Sequence, residues 1–156
     1  MQVYIARHGQ TVSNMNRKYQ DGGDCLNEVG EKQVTLLAKR LKKIGFDKII
    51  SSSQVRATRT AELIAKELDC FYDKSDLLIE IKHPTELVGR EYDDLEAKKI
   101  SDERIENFHN SEFRYSDEEN FSDLKQRGLS ALEYIASFSP ENSKLLVVSH
   151  GGFMRI

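Results

Sequence analysis

The chain has 156 residues, 38% of them hydrophobic and 31% charged, which suits one domain with one core over residues 1–156. Its net charge of −3 excludes a general nucleic-acid surface, so a bound anion must be met by arginines clustered locally. No apolar run approaches the ~20 residues of a transmembrane helix, and the N-terminus lacks a signal-peptide pattern, so a cytoplasmic protein with no membrane partner is expected.

Gln2–Ala6 is a short apolar run ending at Arg7-His8-Gly9 and predicts a buried strand. Residues 10–27 are polar and predict a loop. Asn27 is placed to cap a helix over Gly30–Lys43, with a stripe of Val34, Leu37, Ala38, Leu41 and Ile44 and with Gly45 at its end. Lys48–Ser51 predicts a second strand. Ser53–Leu68 predicts a second helix that buries Ala57, Ala61, Ile64, Ala65 and Leu68. A short strand near Phe71 and an extended piece over Leu77–Glu80 follow.

Residues 81–118 are charged and hold a helix or two between Asp94 and His109. They read equally as a cap over a site and as a solvated insertion. A last helix over Phe121–Phe138 is expected to turn Phe121, Leu124, Gly128, Leu132, Ile135 and Phe138 inward. Lys144–Ser149 then forms a strand that ends at His150-Gly151-Gly152. Alternating strands and helices predict a three-layer α/β/α sandwich with a mainly parallel sheet. Cys25 and Cys70 read as free thiols, and the histidines and cysteines lack zinc-ligand spacing, so no metal and no cofactor are expected.

Two apolar strands each end in His-Gly, and ligands of open α/β sheets bind beyond the carboxyl ends of strands. His8 and His150 are therefore expected at one sheet edge. Arg56 falls in the first turn of the helix after the second strand, where a cation is disfavoured unless it shares an anion with the helix end. The alternative is a solvated Arg56 paired with Glu62 or Asp47. Together Arg7, Arg56, His8 and His150 would surround a tetrahedral dianion, because guanidinium forks match phosphate oxygens in pairs. A neutral imidazole is a competent nucleophile at phosphorus, and the leaving alkoxide then needs a carboxylic acid nearby.

These residues resemble the histidine phosphatase superfamily, also called the phosphoglycerate mutase-like family. Arg7-His8-Gly9-Gln10-Thr11 resembles its RHG[EQ]T signature, with Asn14 at the downstream asparagine. Leu26–Gln33, Ser52–Ala61 and Val147–Gly152 resemble three further segments, and Glu119-Asn120 through Asp123 and Arg127 a fourth, G-E-S-x-x-D-x-x-x-R. There Glu118 replaces the glycine and Asn120 the serine, which puts a substrate contact in question.

The resemblance implies a phosphoglycerate mutase-like fold and His8 as the phosphorylated nucleophile. It implies Arg7, Asn14, Arg56, His150 and Gly151 around the phosphate, and Glu80 as the proton donor. Glu86 is a rival acid, because position 84 is proline where the family often has a glycine four residues after its acid. The chain also ends six residues after His150. Either it is cut short, or it is a compact variant whose sheet edge a second copy covers, as a homodimer. The expected function is hydrolysis of small phosphorylated metabolites. The alternatives are a phosphoglycerate mutase and an inactive module that binds phosphorylated ligands.

Overall fold

The computed structural model describes residues 1–107, 109–138 and 143–155. Four strands, β1 (Gln2–Arg7), β2 (Lys48–Ser52), β3 (Tyr72–Ser75) and β4 (Lys144–Ser149), form one parallel sheet in the order β1-β4-β2-β3. The helices are α1 (Val12–Met15), α2 (Glu28–Leu41), α3 (Val55–Leu68), α4 (Leu95–Glu106) and α5 (Phe121–Ser137).

Alternation along the central strands builds the layers, since successive side chains point to opposite faces. Ile49, Leu146 and Val148 pack with Val34 and Ala38 of α2 and Ala57, Ala61 and Ile64 of α3. Ile50, Leu145 and Val147 pack with Ala131, Tyr134 and Ile135 of α5 on the other face. The result is the expected three-layer α/β/α sandwich. No helix among the described residues is long and apolar enough to cross a membrane.

Four local expectations need correction. β1 is not a buried strand: it lies at the sheet edge beside β4 alone, and Ile5 is 63% exposed. In α5, Ala131 and Ile135 face the sheet and Leu124 is buried, whereas Phe121 and Leu132 are exposed. Leu132 lies on the flank of the helix toward β1, where the sheet ends, and borders an apolar groove of about 270 Å³ with Ile5 and Leu129. The 10–27 segment contains the single turn α1, which Thr11 and Asn14 close as a reciprocal capping box. Leu77–Glu80 is not extended throughout, because Asp76–Leu78 is a 3-10 turn capped by Ser75.

Segment 81–118, which the sequence leaves open between a cap and a solvated insertion, carries a packed core. Leu87, Ala97 and Ile100 form a small core of their own with Tyr19 and Tyr115 against it. The Tyr19 N–H donates to Arg90 O and the Gly89 N–H to Tyr19 O, at 3.0 and 2.9 Å. These bonds fasten the segment over the stretch that follows α1. Cys25 and Cys70 are free thiols.

Candidate active site

Strand register brings the two His-Gly ends together. Arg7 is paired with Ser149, so His8 and His150 leave adjacent strands at the same edge, and the His8 N–H donates to Ser149 O at 3.1 Å. Their rings lie 5.1 Å apart, centroid to centroid. The surrounding family-like segments act as braces. The Gly9 N–H donates to Thr60 Oγ1 of α3, the Gln10 N–H donates to Gln33 Oε1 of α2, and Asn27 caps α2.

His8 is 6% exposed. Its Nδ1 lies 2.7 Å from Gly9 O, which can only accept, so the proton resides on Nδ1 and the lone pair on Nε2. That lone pair accepts from Arg56 Nε at 3.3 Å. Burial is the chief cause that lowers the His8 pKa from 6.5 to about 4; the Gly9 bond opposes it, and Arg56 and Arg7 reinforce it. The ring is therefore neutral and nucleophilic at physiological pH.

Arg56 is 2% exposed, in the first turn of α3. Its Nη1 donates to Asp21 O at 2.6 Å and its Nη2 to Gln54 Oε1 at 2.8 Å. Glu62 pairs instead with Arg59, and Asp47 accepts from the Lys144 N–H, so the alternative of a solvated, acid-paired Arg56 is corrected. No carboxylate among the described residues forms an ion pair with this buried guanidinium. A buried charge in that state is costly until a counter-charge arrives.

His150 is fully buried. Ser52 Oγ accepts from the Gln54 N–H and lies 2.8 Å from His150 Nε2, a bond in which either atom can donate. With Ser52 as the donor the His150 proton lies on Nδ1, which has no hydrogen-bond partner among the described residues. Burial, then Arg56, His8 and Arg7, hold its pKa far below the ordinary value. It is a neutral donor beside the hollow. Arg7 and Asn14 line the same hollow, and Asn14 Oδ1 already accepts from the Thr11 N–H, leaving its amide N–H groups for a ligand.

The double glycine after His150 permits two close approaches. A Cβ at Gly151 would lie 3.2 Å from the Arg7 guanidinium, and one at Gly152 would lie 2.5 Å from Glu80 Oε1. Glu80 lines the hollow with His8 and Arg56. Its Oε1 accepts from the N–H groups of Ile81 and Phe153, at 3.0 and 2.8 Å, and its Oε2 from that of Gly152, at 3.1 Å. Glu86 lies outside the hollow, exposed, and accepts from Ser116 Oγ at 2.8 Å.

Sequence reasoning missed the far wall. Tyr19 stands edge-on to both Tyr92 and His83, at centroid distances of 4.7 and 5.2 Å, and all three line the hollow with Gln20. Burial lowers the His83 pKa, so this wall is uncharged. No spacing in the chain links these residues; only the docking of 81–118 on the 17–22 stretch unites them. Among the described residues no group of three or more His, Cys, Asp or Glu is placed to hold a metal ion.

The chain is similar in sequence and fold to several known proteins. The protein named "Probable phosphoglycerate mutase GpmB" of Erwinia tasmaniensis is 35% identical over 97% of this chain and 70% of its own length. The structure of Bacillus stearothermophilus YhfR superposes with a TM-score of 0.82 at 27% identity, over 97% of this chain and 75% of that one. A histidine-to-alanine variant of Entamoeba histolytica phosphoserine phosphatase in complex with phosphoserine gives a TM-score of 0.81 at 25% identity, over 98% and 75%. Residues 3–156 match the histidine phosphatase superfamily (branch 1), and the chain belongs to that superfamily.

Proposed function

We propose that the chain hydrolyses phosphomonoesters of small anionic metabolites through a phosphohistidine on His8. The carrying observation is the buried Arg56, with no carboxylate ion-paired to it among the described residues, donating to His8 Nε2 at 3.3 Å while the His8 and His150 rings lie 5.1 Å apart. One phosphoryl group fits among them, and its charge supplies what Arg56 lacks.

In this reading Arg56 Nε turns from His8 Nε2 to a phosphoryl oxygen as the ester enters. The freed lone pair attacks phosphorus, and the P–O bond to the leaving group breaks. The new positive charge on the ring is shared through Nδ1–H toward Gly9 O. Arg7, Arg56, Asn14 and His150 Nδ1–H donate to the non-bridging oxygens, where charge must be held. Glu80, protonated, gives its proton to the departing alkoxide. It then takes a proton from the water that attacks the phosphohistidine, releasing inorganic phosphate and restoring both groups.

A second reading, phosphoryl transfer between positions of a phosphoglycerate, draws support from the name of the Erwinia relative. Hydrolysis is favoured by the far wall: Tyr19, Gln20, His83 and Tyr92 offer no third cation for the carboxylate of such a substrate. A phosphate-release screen across a metabolite panel, with His8→Ala alongside, tests the proposal. Release that depends on His8 is expected. Equal release by both proteins overturns the nucleophile, and activity that requires priming by 2,3-bisphosphoglycerate favours transfer. EDTA is expected to leave the rate unchanged.

A further inference from the structure

The segment Glu119-Asn120-x-x-Asp123-x-x-x-Arg127 does not line the hollow, and the function proposed above gives it no task. The structure shows what its residues touch. Asn120 and Asp123 cap α5 reciprocally: the Asp123 N–H donates to Asn120 Oδ1 at 2.9 Å and the Asn120 N–H to Asp123 Oδ2 at 3.2 Å. Asparagine thus does here what serine does at a helix start. The position taken by Glu118 also gains a task. Its buried carboxylate accepts from the N–H groups of Tyr115 and Ser116, both at 2.8 Å, and orders the approach to α5.

The other two residues grip the strand of chain on either side of Glu80. Arg127 Nε and Nη2 donate to Glu119 Oε1 and Oε2 at 2.6 and 2.7 Å, a bidentate pair that is largely buried. Arg127 Nη1 also donates to the carbonyls of Leu77 and Ile79, at 3.1 and 2.9 Å. Glu119 Oε2 accepts from the Lys82 N–H at 3.0 Å, and the Glu119 N–H donates to Lys82 O at 3.1 Å. The Arg127 guanidinium also lies 4.3 Å from the Phe153 ring centroid, and the Phe153 N–H is one of the three donors that hold Glu80. One ion pair, Arg127 on α5 with Glu119 just before the helix, therefore touches the chain before Glu80, the chain after it, and a residue that binds its carboxylate.

We propose that Glu119 and Arg127 form a positioning clamp that holds the Glu80 carboxyl at the leaving-group oxygen. Neither residue touches substrate. The clamp rests on the reading of Glu80 as proton donor, and its signature is a dependence on the leaving group. An alkyl ester needs the proton, whereas p-nitrophenolate departs without it.

The test compares an alkyl phosphomonoester with p-nitrophenyl phosphate in Arg127→Met and in the milder Glu119→Gln. Arg127→Met is expected to lower kcat/KM for the alkyl ester about 100-fold and for p-nitrophenyl phosphate less than about fivefold, the size and selectivity of a lost general acid. Inhibition by inorganic phosphate stays at the wild-type level, and Arg127→Lys restores only part of the alkyl rate because an ammonium cannot bind Glu119 in two places. Equal loss on both esters, or none, overturns the clamp. Amide exchange at Gly152 and Phe153 decides the matter without turnover: it is expected to quicken in both variants, and unchanged exchange overturns the clamp. If the wild type hydrolyses neither ester, the phosphatase reading fails by itself, and the exchange result still decides whether Glu80 is held this way.

Discussion

In the proposed reading, the phosphoryl side of the hollow is made by strand ends and the first turn of α3, whereas the leaving-group side is made by loops from separate parts of the chain. The first side holds His8, Arg56 and His150 against a buried sheet, hydrogen-bonded to Gly9 O, Gln54 and Ser52 respectively. The second side holds Glu80, Tyr19, His83 and Tyr92, whose positions depend on α5, on Gly152-Phe153 and on the packing of 81–118. In that reading, chemistry common to every phosphomonoester belongs to the first side, and selection among leaving groups belongs to the second.

Substitutions on the two sides should therefore differ in kind. The largest effect is expected from His8→Ala, which removes the nucleophile: turnover of every ester should fall by about four orders of magnitude or more, with weak phosphate binding retained by Arg7 and Arg56. Turnover that survives would end the division drawn here. Arg56→Lys keeps the charge but loses the fork. It should lower kcat/KM about 100-fold on all esters alike and weaken phosphate inhibition, measured as Ki.

Glu80→Gln should distinguish substrates instead. Expected is a fall of about 100-fold on alkyl esters and a much smaller one on p-nitrophenyl phosphate, read from kcat/KM on both. Tyr92→Ala is expected to be smaller again: KM for ring-bearing substrates should rise by a factor of a few, on the order of a lost aromatic contact, with kcat almost unchanged. A large fall in kcat would mean that the far wall takes part in the chemistry.

The pH dependence sharpens the same contrast, with the smallest effect under ordinary conditions. Because the His8 pKa lies near 4, its protonation should reduce kcat/KM only as pH falls toward 4, not near 6.5. The sign for stability follows from proton uptake. Between 6.5 and about 4 the unfolded chain binds a proton at His8 that the folded chain refuses, so stability is full above 6.5 and declines as pH falls. His150, shifted in the same direction, adds to the decline. Thermal melts across this range should show Tm falling with acid, less so in His8→Ala.

Legibility in the sequence followed the range of the interactions. The stripes of α2 and α3, the Asn27 cap and the apolar run of β4 are local patterns that local physics enforces, and they stand close to where periodicity puts them. β1 misled because an apolar run reports β propensity and not the number of neighbouring strands; its place at the edge is a property of the whole sheet. Leu132 misled for the same reason, since helical spacing gives a face its width but not the extent of the surface it meets.

The chain alone determined that two imidazoles and two guanidiniums follow strand ends or begin a helix, because strand–turn–helix order is written in consecutive residues. Only the tertiary structure decided that Arg56 is buried with no acid paired to it among the described residues, that Glu80 rather than Glu86 enters the hollow, and that Tyr19, His83 and Tyr92 form its far wall. Those outcomes depend on contacts between residues about ten to seventy positions apart, whose free energy arises from packing and leaves no periodic trace in the sequence.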